Sequence, residues 1–135
     1  MSAIADVQLG VAERESLRRH TSLRVGGPAR HFLASADAQA LACLLRAAAA
    51  DGLPILVLGG GSNLLISDDG FDGVVVKYTA GEHAAEVLPD GSLLVRTDAG
   101  ANFSNLARRL AREGLSGLEW AAKTKSSHES ALTKA

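Results

Sequence analysis

The apolar positions of this chain fall into short runs broken by glycine, and their spacing changes from segment to segment. Val7, Leu9 and Val11 alternate weakly. Glu13, Arg14, Glu15, Arg18 and Arg19 then favour solvent, so residues 1–19 read as a flexible N-terminal arm. Leu23 and Val25 alternate with Ser22 and Arg24, a strand signal stopped by Gly26-Gly27-Pro28. Arg30 to Ala36 reads as a further strand around Phe32 and Leu33. Asp37 can accept from the free N–H groups of a first helical turn. Ala38, Leu41, Ala42, Leu45, Ala48 and Ala49 recur at helical spacing behind it, with Cys43, Leu44 and Arg46 mostly on other faces. Gly52 and Pro54 end that helix.

The stretch Leu53 to Ser67, LPILVLGGGSNLLIS, organises the rest. Ile55, Leu56, Val57 and Leu58 are continuous and apolar, the pattern of a strand buried on both faces. Gly59, Gly60 and Gly61 follow at once, then Ser62, Asn63 and a second apolar run from Leu64. Asp68, Asp69, Gly70, Asp72 and Gly73 read as a loop between buried strands, the second of them Val74-Val75-Val76. An EF-hand spaces its oxygens differently and closes on a glutamate, so the three aspartates do not read as a calcium loop.

Ala85–Leu88 and Ser92–Thr97 are strand candidates joined by the turn Pro89-Asp90-Gly91. Asp98-Ala99-Gly100-Ala101 leads into a helix with Asn102 as cap and a stripe of Phe103, Leu106, Ala107 and Leu110. Arg108, Arg109 and Arg112 take the outer face, and Gly114 ends the helix. After Ala122 the character changes. Residues 1–122 hold ten arginines and one lysine, whereas residues 123–135 hold three lysines, no arginine, no glycine and five Ser/Thr. Such a tail cannot bury a core, so 123–135 is expected to be disordered.

Composition narrows the function classes. A chain of 135 residues allows one domain of ordinary size, and 47% hydrophobic content suffices for a core built of Leu, Val, Ile and Ala. A formal charge of -1 argues against a general nucleic-acid binder. The lone Cys43 rules out an internal disulfide; it reads as a small buried or half-buried residue rather than a nucleophile. No secretory leader and no run long enough to cross a bilayer is visible, which points to a cytoplasmic protein without membrane association.

Candidate chemistry centres on the glycines. Three glycines, a hydroxyl and an amide can aim several backbone N–H groups at an anion, an arrangement called a nest. The alternative is an ordinary tight turn. A P-loop would need a Lys-Ser/Thr pair, and the dinucleotide fingerprint would need glycine where Leu64 stands, so neither motif applies. Arg24 offers forked donors to a phosphate or carboxylate, or is a surface charge. His20 and His31 read as surface or packing residues, and Glu82, His83 and Glu86 as solvated.

Four ordered segments carry a family resemblance: His20-Thr21-Ser22-Leu23-Arg24-Val25-Gly26-Gly27-Pro28-Ala29, then GGGSNLLISDDGFDGVVVK from Gly59, then Asp98-Ala99-Gly100-Ala101, and Gly117-Leu118-Glu119-Trp120-Ala121-Ala122. Together they resemble the flavin-binding part of the UDP-N-acetylenolpyruvoylglucosamine reductases (MurB, UDP-N-acetylmuramate dehydrogenase), from roughly Leu17 to Ala122. The resemblance implies an α+β fold: the incomplete N-terminal lobe of a two-lobed FAD-binding domain of the MurB and vanillyl-alcohol-oxidase type, with small mixed sheets and packed helices over 20–122. It implies FAD as cofactor and NADPH as co-substrate. The implied reaction reduces UDP-N-acetylglucosamine enolpyruvate to UDP-N-acetylmuramate in peptidoglycan precursor synthesis. It implies cofactor contacts at Leu58, Gly59, Gly60, Gly61, Ser62, Asn63 and Leu64, and at Asp98, Ala99, Gly100 and Ala101.

The family's serine acid and its arginine and glutamate lie beyond the departure at Ala122, so no catalytic residue is assigned. The tail then reads as a shifted frame, a truncation scar or a fused sequence, and the fragment is expected to bind FAD weakly or not at all and to lack reductase activity. Another FAD oxidoreductase of the same fold, or a non-enzymatic nucleotide-binding remnant, are the alternatives.

Overall fold

The structure, a computed structural model, describes residues 3–5, 7, 10–118 and 120. It divides the chain into two compact units, Met1–Ala80 and Gly81–Ala135. The tail assigned to 123–135 lies outside the described residues, as do Glu119, Ala121 and Ala122.

In the first unit a four-stranded sheet carries one helix. Strands β1 (Ala12–Ser16), β2 (Pro28–Ser35), β3 (Ile55–Val57) and β4 (Phe71–Tyr78) lie in the order β1-β2-β4-β3. β1 runs antiparallel to β2, while β2, β3 and β4 are mutually parallel. β2 and β3, parallel strands on either side of β4, require a crossover, supplied by helix α1 (Ala38–Ala50). Asp37 caps it as expected, its carboxylate accepting from the Gln39 N–H at 2.8 Å.

The sheet is covered on both faces. On one face Leu33, Val74 and Val76 pack with Leu41, Leu44, Ala47 and Ala48 of α1 and with Ile4. On the other, Leu17, Ala29, Phe32, Leu58 and Val75 form a second cluster. The alternation along β4 divides its valines between the two cores.

Three expectations are corrected here. Residues 12–19 are not a solvated arm: Ala12–Ser16 pairs with β2, and a 3₁₀ turn at Leu17–Arg19 places Leu17 out of solvent altogether. An edge strand needs only backbone partners and one buried face, so Glu13, Arg14 and Glu15 hid it. Ala3 and Ile4 are also anchored, their N–H groups donating to the Asp51 carboxylate at 2.8 and 3.0 Å.

β3 is not buried on both faces. It is an edge strand, with Ile55 42% and Val57 67% exposed. Its register sets them beside Val74 and Val76, but α1 does not extend its cover to them. Finally, the buried stripe of α1 runs through Leu41, Leu44, Ala47 and Ala48, with Leu44 fully buried and Cys43 exposed. The many alanines left the stripe's phase undetermined by spacing, and one position of rotation exchanges the two residues.

The second unit holds an antiparallel hairpin, β5 (His83–Val87) and β6 (Leu93–Thr97), and helix α2 (Phe103–Arg112). Its turn is closed by the Gly91 N–H donating to the Leu88 carbonyl at 2.9 Å. Asn102 caps α2, accepting from the Asn105 N–H at 2.9 Å. Leu106, Ala107 and Leu110 are buried, while Phe103 stays 45% exposed beside the Trp120 ring, with centroids 5.5 Å apart. Small sheets, two helices and a mixture of strand directions make this an α+β architecture.

Candidate functional site

The glycine loop leaves the C-terminal end of β3. Both of its ends are fixed. Leu58 is buried, and its N–H donates to the Val76 carbonyl at 2.8 Å. The amide of Leu58 is therefore spent on the sheet, and Leu58 serves as an anchor rather than a donor to a ligand. Downstream, Leu64 and Ile66 pack against the second core.

Gly61 takes φ +68°, and a Cβ there would sit 2.9 Å from the His20 carbonyl carbon and 3.0 Å from the Thr21 Cα. Its own carbonyl accepts from the Ser22 N–H at 3.0 Å. Here glycine is required twice over, by the left-handed backbone and by the close approach of another chain segment.

Gly59 and Gly60 differ. Both are exposed, and a Cβ added at either would meet no atom within 4 Å. Ser62 and Asn63 complete a turn. Among the described residues, none of the N–H groups from Gly59 to Asn63 is held by a protein acceptor within hydrogen-bonding geometry. The side-chain-free surface lies at exposed Gly59 and Gly60, with Gly61 buried and Ser62 half-buried after them; free amides beside such a surface can meet an anion that needs several donors and close backbone approach.

The turn His20–Val25 supports this loop from below. His20 stacks on Phe32 with centroids 4.4 Å apart, and its Nε2 lies 3.1 Å from Glu15 Oε1. Buried Thr21 donates its hydroxyl to the Val25 carbonyl at 3.0 Å. Arg24 sits at φ +54°, a left-handed conformation uncommon for a residue with a side chain. Arg18 and Arg19, the like charges that line a cleft with Arg24 of this turn, did not stand out in sequence. Only their spacing from Arg24 could have marked them.

The second candidate stretch, Asp98–Ala101, belongs to the other unit. Asp98 exchanges hydrogen bonds with Glu82: its N–H donates to the Glu82 carbonyl at 3.0 Å, and its carboxylate accepts from the Glu82 N–H at 3.1 Å. The Ala101 N–H donates back to the Asp98 carbonyl at 3.1 Å. Asp98 thus stitches the base of the hairpin to the turn, while Ala99 and Gly100 are exposed. Among the described residues, no group of three or more histidine, cysteine or carboxylate side chains could hold a metal ion. None of their helices is long and apolar enough to cross a membrane.

Residues 29–131 match the model of a family described as FAD binding domain. The chain belongs to that family. Within the FAD binding domains it is similar to the UDP-N-acetylenolpyruvoylglucosamine reductases. It is 45% identical to reductase 2 of Symbiobacterium thermophilum over 111 residues, which cover 82% of this chain and 35% of that protein. It is 43% identical to the reductase of Geobacter sulfurreducens over 116 residues, 86% of this chain and 38% of that one. The crystal structure of UDP-N-acetylenolpyruvylglucosamine reductase (MurB) from Thermus caldophilus superposes with a TM-score of 0.57 at 31% identity, covering 87% of this chain and 39% of that one. The chain therefore spans between a third and two-fifths of the length of these relatives. The family match supports FAD as the cofactor of this kind of domain, and the structural match supports the expected partial-lobe architecture.

Proposed function

We propose that the five free amides from Gly59 to Asn63 hold the pyrophosphate of FAD, and that this chain is the flavin-binding part of a UDP-N-acetylmuramate dehydrogenase. The single observation that carries the reading is the loop itself. Leu58 is tied to β4, the Gly61 carbonyl midway along the loop is tied to the Ser22 N–H, and the amides from Gly59 to Asn63 have no protein acceptor among the described residues. Fixed donors lose little freedom when they meet an anion, so the loop is pre-organised. Leu58 and Leu64 position the loop, and Ser62 and Asn63 add a hydroxyl and an amide. Asp98–Ala101 is proposed as a second place of close backbone approach, on the strength of its exposed small residues Ala99 and Gly100.

Bound FAD supplies the redox chemistry in such an enzyme, between NADPH and the enolpyruvyl group of a UDP-sugar, while the protein supplies orientation and charge. Among the described residues none is assigned as proton donor or enolate partner. The proposed setting is the cytoplasm, where UDP-linked precursors and NADPH are available.

The test is a titration of the ¹⁵N-labelled protein with FAD and, separately, with riboflavin, which carries no phosphate. We expect weak, saturable shifts confined to the amides around Gly59–Leu64 with FAD and none there with riboflavin. Equal shifts with both, or no shift at these amides at millimolar FAD, would overturn the assignment.

A further inference from the structure

A basic cleft stands on the side chains of the turn that supports the glycine loop. Ser16, Arg18, Arg19, Thr21 and Arg24 line a cleft of about 550 Å³. Three of these five residues are arginines, and no carboxylate is among them. Among the described residues none of the three guanidinium groups enters an ion pair. The carboxylate nearest in sequence, Glu15, is held by His20 at 3.1 Å. Arg18 is steered by the backbone, its Nε donating to the Arg24 carbonyl at 3.4 Å.

That carbonyl is presented by a residue in a left-handed conformation that its side chain disfavours. Thr21 fixes the next carbonyl, that of Val25, from a buried hydroxyl. Like charges gathered around one concavity repel each other, and an anion between them relieves that repulsion and accepts their forked donors.

We infer that this cleft binds a phosphoryl group, through Arg18, Arg19 and Arg24. The site is separate from the amides of Gly59–Asn63 and does not depend on them. It is adjacent, because Ser22 of the same turn donates to the Gly61 carbonyl. The shared chemistry is a phosphate ester or diphosphate. It can come from the 2′-phosphate of NADPH, from the flavin pyrophosphate, or from a free anion.

The experiment is a titration of the ¹⁵N-labelled chain with inorganic pyrophosphate at constant ionic strength, with parallel arms of NADPH, NADH and FAD. We expect saturable shifts at the amides of residues 16–24 with pyrophosphate. The triple variant R18Q/R19Q/R24Q is expected to weaken binding at least tenfold, whereas R46Q, which removes one charge from the exposed face of α1, leaves it unchanged. Saturation by NADPH but not NADH identifies a 2′-phosphate as the source, and saturation by FAD identifies the flavin phosphates. Because the readout is residue-specific, loss of shifts at Gly59–Leu64 with FAD tests the flavin reading and leaves this one standing. Shifts reproduced by sodium chloride alone, shifts that do not saturate, or equal affinity of the triple variant would overturn the proposal. A matching far-UV spectrum and melting curve for the triple variant ensure that lost binding is not lost folding.

Discussion

Replacing Gly61 with alanine separates the glycine that the fold needs from those that leave space for a ligand. At Gly61 the backbone is left-handed, with φ +68°. Holding alanine there costs about 1–2 kcal/mol. The added methyl would also press on the backbone of His20 and Thr21, at 2.9 Å from the His20 carbonyl carbon and 3.0 Å from the Thr21 Cα. Backbone cannot rotate out of the way as a side-chain tip can. The turn must move, and the bond from the Ser22 N–H to the Gly61 carbonyl goes with it. Losing that bond adds about 1 kcal/mol.

These two contributions sum to roughly 2–3 kcal/mol, a large part of the ~5–15 kcal/mol that holds a domain of ordinary size. Gly60→Ala meets nothing within 4 Å. It is therefore expected to change stability by no more than about 0.5 kcal/mol. Urea unfolding followed by far-UV circular dichroism measures both. The reasoning fails if the two variants lose similar stability, or if Gly61→Ala unfolds at the midpoint of the unsubstituted chain. The same pair should behave oppositely toward cofactor per folded molecule: the Gly60 methyl enters the proposed cradle and weakens FAD binding without loosening the fold.

Four further outcomes are expected. Leu44 is fully buried between α1 and the sheet, so Leu44→Ala should cost about 2–5 kcal/mol in the same unfolding assay. Asn102→Ala removes the cap of α2 and should lower the stability of that helix by about 1 kcal/mol, seen as faster amide exchange over Phe103–Ala107. Cys43 is exposed, so one thiol should react with a disulfide reagent in the folded protein at close to the rate seen in urea. The Ser92 hydroxyl, and after it the Ser92 N–H, hold the Asp90 carboxyl below its ordinary range. A carboxyl depressed in the folded state stabilises it above the unfolded-state pKa, and this contribution fades as the pH falls through the folded-state pKa. Ser92→Ala should therefore raise the Asp90 titration midpoint, read by carboxyl NMR.

Much of the second unit was legible residue by residue. Pro89-Asp90-Gly91 and Asn102 act through local chemistry, and the hairpin and helix α2 form where that chemistry put them. The same holds for Asp37 and α1. What escaped depended on distant partners. Glu13, Arg14 and Glu15 look solvated, yet their backbone completes a sheet whose other strands follow later in the chain. Ile55 and Val57 look doubly buried, yet their strand falls at an edge. In the candidate site the glycines were visible, but not the division among them. Gly61 is set by His20 and Thr21, forty residues upstream, and no local pattern announces that contact. The basic cleft was hidden for the same reason, because Arg18 and Arg19 read as charge until a turn folds them beside Arg24.

The position of the loop within the sheet gives its chemistry a further reason. Strands β2, β3 and β4 are parallel, so their carboxyl ends face one way. Ligands of open α/β sheets gather at such ends, where loops leave the strands without covering one another. The glycine loop leaves β3 there. Its first residue after the strand, Leu58, stays in the sheet through the carbonyl of Val76 on the central strand β4. A free amide on a wandering loop would pay much of its binding energy in ordering. Here the central strand fixes the residue before the amide run, and the His20–Ser22 turn fixes Gly61 at its middle. Loosening either support should therefore weaken phosphate binding without touching a single ligand-facing atom. Replacing Phe32, on which His20 stacks, with leucine makes that distinction measurable. The fold should survive, because leucine still fills the second core, while FAD-induced shifts at Gly59–Asn63 should need more FAD to saturate. An unchanged affinity in a folded F32L protein would show that the loop keeps its shape without the turn beneath it.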